Sequence, residues 1–242
     1  MPSDVLGTSV FNPKLANFEF IKGPVFSNII LVDEINRAPA KTQSALFEVM
    51  EERQATVDGS TYPMSTPFIV IATQNPVEHE GTYRLPEAQL DRFLFKIVVG
   101  YPTAEQEVEV LRGHHQRSNM AEAIAAITAV LQPQQLTELR QKTHLVHVED
   151  KLLEYIAQIV LQTRNNKSLF LGASPRASVA LLNSSKALAA IKGRDFVTPE
   201  DIQALAAAVL RHRIILTPER EMEGATPDDV VTQLLQKVEV PR

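Results

Sequence analysis

Four aliphatic residues, Ile29-Ile30-Leu31-Val32, run directly into two carboxylates, Asp33 and Glu34. A buried strand ending this way places its acids at the C-terminal edge of a sheet, where ligands bind in open α/β folds. Two adjacent carboxylates there suit phosphoryl transfer to water. The first holds Mg²⁺, usually through water, and the second polarises the attacking water. The same string also suits a strand followed by a solvated acidic turn. A second apolar run, Phe68–Ala72, ends in Thr73-Gln74-Asn75-Pro76. An Asn amide at a neighbouring strand tip can orient a water against a carboxylate, although Asn-Pro after a strand is by itself a turn. A helix between the two runs makes them fit a βαβ unit with paired tips.

Two arginines complete the set. Arg92 closes Leu85-Pro86-Glu87-Ala88-Gln89-Leu90-Asp91-Arg92 and directly precedes a third apolar run, Phe93–Val99. A guanidinium there suits a phosphate in a neighbouring subunit, or an ion pair with Asp91 or another surface acid. Arg176 stands in the first turn of a helix opened by Ser174-Pro175, where the helix dipole favours acids instead. That local cost points to a task for Arg176, the alternative being an unassigned surface arginine. His144 and His147 are spaced i,i+3 and His114 and His115 are adjacent, but no carboxylate companion makes either pair a metal site.

The elements that must position these residues have two textures, meeting near Gly100-Tyr101-Pro102. Before that point the three apolar runs, Asn28–Val32, Phe68–Ala72 and Phe93–Val99, read as strands of a parallel sheet buried on both faces. Pro39 opens a helix running to about Gln54, with Ala45, Leu46, Val49 and Met50 on its apolar face. Asp58-Gly59 between strand formers marks a tight hairpin over Thr56–Tyr62. A looser hairpin joins Val10-Phe11-Asn12 to Phe18-Glu19-Phe20-Ile21. After Pro102 the chain reads as almost all helix. Thr103 with Gln106 forms a capping box, and Thr198-Pro199 and Thr226-Pro227 start further helices. Gly193 closes the helix that begins near Pro175.

Composition bounds the function classes. The 242 residues are 44% hydrophobic, with 24 basic and 29 acidic side chains and a formal charge of −5, so no basic field invites nucleic acid. No apolar run reaches the ~18–20 residues of a membrane span, and the N-terminus has no signal-peptide pattern. The absence of cysteine excludes disulfides and thiolate metal sites. These features fit the cytoplasm.

The strings Leu31-Val32-Asp33-Glu34-Ile35-Asn36-Arg37-Ala38, Glu48-x-Met50-Glu51-Glu52, Ala72-Thr73-Gln74-Asn75-Pro76 and Leu85–Phe93 closely resemble the MoxR branch of AAA+ ATPases. The resemblance covers essentially the whole chain, including Gly172–Arg176. It implies an α/β fold: a partial P-loop NTPase core over residues 1–102, whose parallel sheet lacks its first strands, followed by an all-helical lid over residues 103–242. By position it implies that Asp33 and Glu34 are the Walker B pair, with Asp33 on the Mg²⁺ of bound ATP and Glu34 catalytic. It implies that Asn75 is the sensor 1 residue, Arg92 the trans-acting arginine finger with Arg84 as second candidate, and Arg176 the sensor 2 arginine. The Thr56–Tyr62 hairpin resembles a pre-sensor 1 insertion, and residues 4–26 resemble a helix-2 insertion; in the wider class such hairpins line a ring's pore and touch the client. The resemblance further implies a hexameric ring, a client protein, and partners carrying von Willebrand factor A domains.

One part of that pattern is missing. A P-loop needs Gly-x-x-x-x-Gly-Lys-Ser/Thr, and none of the nine glycines is followed by lysine. In the family this motif lies upstream of the position matching Met1, so the chain is expected to be truncated in front. The sheet order implied, 5-1-4-3-2, would then leave a gap between the second and third runs, with exposed strand edges. Three readings follow: an ATP-driven remodelling machine present as an incomplete copy, a non-hydrolysing module that binds a partner through lid and hairpins, and a DNA-acting AAA+ relative. The acidic balance weighs against the third.

Overall fold

The computed structural model describes residues 1–75, 85–116 and 120–241. In chain order, α1 (Pro2–Leu6) leads into an antiparallel hairpin of β1 (Gly7–Asn12) and β2 (Asn17–Lys22). Then come β3 (Ile29–Val32), a short 3-10 turn over Ile35–Arg37, and α2 (Ala40–Glu52). A second hairpin pairs β4 (Gln54–Val57) with β5 (Ser60–Pro63), followed by β6 (Ile69–Ala72) and the short α3 (Glu87–Leu90). The remainder comprises α4 (Ala104–Gln116), α5 (Met120–Ala125), α6 (Pro133–His144), α7 (Asp150–Arg164), β7 (Leu169–Leu171), α8 (Pro175–Ile191), α9 (Pro199–Leu210), β8 (Ile215–Leu216), α10 (Pro218–Met222) and α11 (Pro227–Lys237).

The first two apolar runs pair as expected. β3 and β6 are parallel and in register from Ile29↔Ile69 to Val32↔Ala72. The intervening α2 lies on one face, where Val25, Ile30, Leu46, Val49, Ala55 and Met64 form a buried cluster joined by Val32 and Val70. The expectation of burial on both faces is corrected. On the opposite face Ile29 and Leu31 remain 63% and 67% exposed, and Ile69 and Ile71 are also exposed. Alternation, not a continuous apolar run, is therefore how burial is distributed along these strands.

The third run is also corrected: residues 93–99 form no strand. A strand exists only where a neighbour takes up its backbone groups, and here those groups turn to the helices beyond. Lys96 N–H donates to Ala208 O at 2.9 Å, and Arg213 donates to Phe93 O at 2.6 Å and Leu94 O at 3.1 Å. Phe95 packs against the helical core, while Ile97, Val98 and Val99 stay exposed.

Both hairpins form as read. Asp58 and Gly59, with φ of 50° and 76°, both take the left-handed conformation of a two-residue turn whose twist matches that of the flanking antiparallel strands. Phe20 of β2 stacks on Tyr62 of β5 with ring centroids 4.3 Å apart, and Phe26 packs edge-on against both. Ser9 Oγ donates to Asp58 Oδ2 at 2.5 Å, so the two hairpins are joined at two points.

From Val146 onward the helices share one core. Ile156, Ile159 and Val160 of α7 meet Ala177 and Leu181 of α8, Ile202, Val209 and Leu210 of α9, and Val231 of α11. Burial of each aliphatic side chain contributes about 1.5–3 kcal/mol. The helix starts follow the sequence signals. Ser174 Oγ accepts from Arg176 N–H, Thr198 N–H donates to Asp201, and Thr226 and Asp229 bond reciprocally. Asp201 is fully buried, bound by Arg194 at 2.6 Å and Lys192 at 3.0 Å. Burial alone would raise this carboxyl, but Arg194, the Thr198 N–H and Lys192 outweigh it and hold it well below the usual carboxylate range. Helix α4, by contrast, buries none of its residues.

Because every buried member of this core lies between Val146 and Val238 and the caps are internal, a fragment of residues 135–242 is expected to fold alone. Thermal unfolding followed by circular dichroism should be cooperative; a featureless melt would show that the helical core depends on residues 1–134.

Candidate functional site

The parallel pairing of β3 with β6 brings the two chemically rich strand ends side by side. Thr73, directly after β6, ties them together: its Oγ1 donates to Asp33 Oδ1 and accepts from Glu34 N–H at 2.9 Å. Ile35 N–H donates to Thr73 O at 3.0 Å, and Asn36 Nδ2 lies 3.5 Å from Asn75 O. Glu34 has a left-handed backbone, φ 49°, which turns the chain sharply out of the strand and into the 3-10 turn. Gln43 of α2, almost fully buried, braces that turn by donating to Ile35 O at 3.1 Å. Asp33, Glu34 and Asn75 thus share one sheet edge. The Glu34 carboxylate meets Arg37 Nε at 3.1 Å, a contact between half-exposed groups worth about 0–1 kcal/mol. Sequence reasoning missed Thr73 and Gln43; the hydroxyl directly following an apolar run was the available signal for the first.

The arginines form a second group. Glu51, in the last turn of α2, takes Arg176 Nη2 on Oε1 at 2.6 Å and Arg92 on Oε2. Arg92 therefore pairs with Glu51, another acid, and not with its neighbour Asp91, and Arg176 pairs with the same carboxylate. Asp91 has a different partner. Arg213, whose side chain is 3% exposed, donates from Nε to Asp91 Oδ1 at 2.8 Å, while Ser174 Oγ donates to Asp91 Oδ2 at 2.8 Å. Ser174 caps α8, which carries Arg176 in its first turn. Two adjacent residues, Asp91 and Arg92, are thereby bound to the start of α8: one through its cap, the other through Glu51. Gly172 permits this approach. A Cβ at that position would stand 2.7 Å from Arg164 Cα, so the loop into α8 packs against the end of α7 only without a side chain. Phe93 meets Phe47 of α2 edge-on at 6.0 Å and fixes the segment from below. Arg84 lies outside the described residues.

The donor set at the sheet edge, a carboxylate with an adjoining hydroxyl and a second carboxylate, fits the metal and water side of a nucleotide site. The phosphate-cradling glycine-lysine loop is not among these 242 residues.

Comparison with known proteins agrees with this architecture. Residues 1–95 match the ATPase family associated with various cellular activities (AAA), and residues 161–234 match the AAA lid domain. The chain is 46% identical to the YeaC protein of Bacillus subtilis, over all of this chain and 74% of that one. It is 41% identical to the chaperone MoxR1 of Mycobacterium tuberculosis, over all of this chain and 65% of the relative. A crystal structure of a Cytophaga hutchinsonii protein superposes with a TM-score of 0.91 at 42% identity, covering all of this chain and 75% of that one. The fold is thus that of an AAA+ core portion with its lid helices. The chain belongs to the MoxR family of AAA+ ATPases, and it is shorter than these relatives.

His212 sits where the arginine segment meets the lid helices. Its Nε2–H donates to Phe93 O at 2.9 Å, and its Nδ1 is buried without a partner among the described residues. Burial, reinforced by the adjacent Arg213, pushes the imidazole down from 6.5 to about 4. Unfolding restores the ordinary value, so between those two pH values the unfolded chain binds more protons and stability is lost as pH falls. Chemical denaturation is expected to show stability declining from pH 6.5 to pH 4, with up to about 2–3 kcal/mol of the loss due to this group. A His212→Gln chain should lack that share; an identical pH slope in the variant would remove His212 as its source.

Proposed function

We propose that this chain serves ATP-driven remodelling or maturation of client proteins within a ring, a hexamer by the pattern of its class. The observation that carries this reading is the sheet edge, where Asp33 and Glu34 directly after β3 meet Thr73 and Asn75 after the parallel β6. In this reading Asp33 holds Mg²⁺, which supplies charge neutralisation for the phosphates of bound ATP. Glu34 polarises the attacking water and Asn75 orients it, at the tip of the adjacent strand. Arg176 contacts nucleotide from the lid, and Arg92 reaches the phosphates bound to a neighbouring subunit. We divide the chain into an α/β portion, 1–102, and a helical portion, 103–242.

The hairpins are the proposed client contacts. Phe11, Leu15, Phe18 and Ile21 all project exposed from the β1–β2 hairpin. The same apolar tip favours a second reading, a non-hydrolysing module that binds a partner through its hairpins and lid. A von Willebrand factor A domain protein is the partner class proposed. No described helix is long and apolar enough to cross a membrane, and we place the protein in the cytoplasm as part of this proposal.

These 242 residues alone are expected to have no ATPase activity and no tight ATP binding, because the amide cradle and its lysine are missing. Micromolar ATP affinity by calorimetry would contradict that.

The trans role of Arg92 is tested in a chain extended to the length of its relatives. Arg92→Ala subunits keep a sound Glu34 but offer a neighbour nothing, and Glu34→Gln subunits do the reverse. The Arg92→Ala variant alone should lose about 10³–10⁵ in rate, the Glu34→Gln variant alone should be nearly inactive, and mixed rings should recover part of the activity. Confirmed mixed rings with no recovery would move the finger role elsewhere, Arg84 first.

A further inference from the structure

The Glu48-x-Met50-Glu51-Glu52 run has no part in the chemistry proposed above, yet the structure gives one of its acids an unusual position. Glu48, Glu51 and Glu52 line a cleft on α2 together with Ser44, Phe47, Gln89 and Arg92. Of the three carboxylates, Glu51 is the one that engages both Arg92 and Arg176, with one oxygen to each. A carboxylate held between two guanidinium groups copies the arrangement those groups make with two oxygens of a phosphate.

We propose that Glu51 is an internal occupant of a two-arginine oxyanion site, displaced when a polyphosphate binds Arg92 and Arg176. The proposal rests on the reading of those arginines as phosphate contacts and adds their regulation. Each consequence follows from geometry. While Glu51 is in place, both arginines are neutralised and fixed to α2, and the start of α8 is held with them. An entering oxyanion takes over the two guanidinium groups and releases Glu51, which removes the ion-pair link between the start of α8 and α2, while Phe93 keeps the Arg92 segment packed on Phe47. Asp91 does not share this fate, because Arg213 and Ser174 saturate its carboxylate from the lid side. Arg92 and Arg176 consequently stay together, tethered through Asp91 and Ser174, whether or not Glu51 is bound. Glu48 and Glu52 remain as neighbouring negative charges in either state, lowering absolute anion affinity without changing the comparison between variants.

The test uses this chain and inorganic tripolyphosphate at low ionic strength. Replacing Glu51 with Gln keeps the shape and removes the competing charge from a partly exposed site. Tripolyphosphate affinity measured by calorimetry is expected to rise about tenfold. The gain should vanish when Arg92→Ala or Arg176→Ala is added to the Glu51→Gln chain. An affinity no higher than that of the unaltered chain, or a gain that survives loss of either arginine, overturns the proposal. Arginine-selective ¹⁵N NMR of the unaltered chain supplies a measurement that does not depend on how the variant folds. Tripolyphosphate should move the Arg92 and Arg176 Nε signals together and leave Arg213 in place; no movement of the pair also overturns it. The mixed-ring experiment does not involve Glu51. Rescue there with no gain here removes only the role of Glu51. A gain here without rescue there keeps the displaced carboxylate and removes the trans finger.

Discussion

Buried backbone groups must be paired, and the segment carrying Arg92 has no strand to pair with. Arg213 meets that constraint almost single-handedly. Its guanidinium serves the Asp91 carboxylate, Asp91 O, Phe93 O, Leu94 O and Val209 O. His212 adds a further bond to Phe93 O, and the Ala208 carbonyl receives Lys96 N–H. Burying one guanidinium costs several kcal/mol unless every donor is satisfied, and here all five donors have an acceptor. The position of Arg92 is therefore set by the end of α9 more than by the sheet. A change in how the lid helices sit would move the arginine with them.

Helix α2 connects the two halves of the site. Near its start, Gln43 braces the 3-10 turn that follows Asp33 and Glu34; near its end, Glu51 grips the arginines. Eight residues separate them, about 12 Å along a helix. The face between carries Leu46 and Val49 into the sheet and Phe47 against Phe93. Acids and arginines thus report to one rigid element. Neither group has to touch the other for a shift of α2 to be felt by both.

What the sequence made legible was local chemistry. Turn residues at Asp58-Gly59, caps at Ser174, Thr198 and Thr226, and the acid-tipped strand each act over a few residues, and each formed as read. Pairing across the chain was less legible. Phe93–Val99 has a strand's composition, but composition does not supply a neighbouring edge, and the segment took lid carbonyls and guanidinium groups instead. The exposed faces of Ile29 and Leu31 arise likewise, since an apolar run states a preference and not the presence of a cover. Within the site, Asp33, Glu34, Asn75, Arg92 and Arg176 were named from type and spacing. Glu51 and Arg213 were not assigned partners, and Asp91 was offered only its neighbour Arg92, because their meaning depends on contacts between residues 41 to 125 positions apart.

The hairpins extend the same logic to the surface. Arg53, in a left-handed conformation, ends α2 and passes directly into β4, and Met64 N–H returns to Arg53 O at 2.9 Å. The β4–β5 hairpin is accordingly an extension of the helix end that holds Glu51. Tyr62 then stacks on Phe20, and Asp58 receives Ser9, which joins the β1–β2 hairpin to it. Aromatic stacking of this kind contributes about 0.5–1.5 kcal/mol beyond area burial, enough to bias two hairpins toward moving together but not to weld them. A displacement at Glu51 therefore has a continuous covalent and packed route to the exposed Phe11 and Phe18, whose own edge-on contact keeps the tip formed. The two hairpins thus link the exposed Phe11 and Phe18 to the end of α2 that carries Glu51.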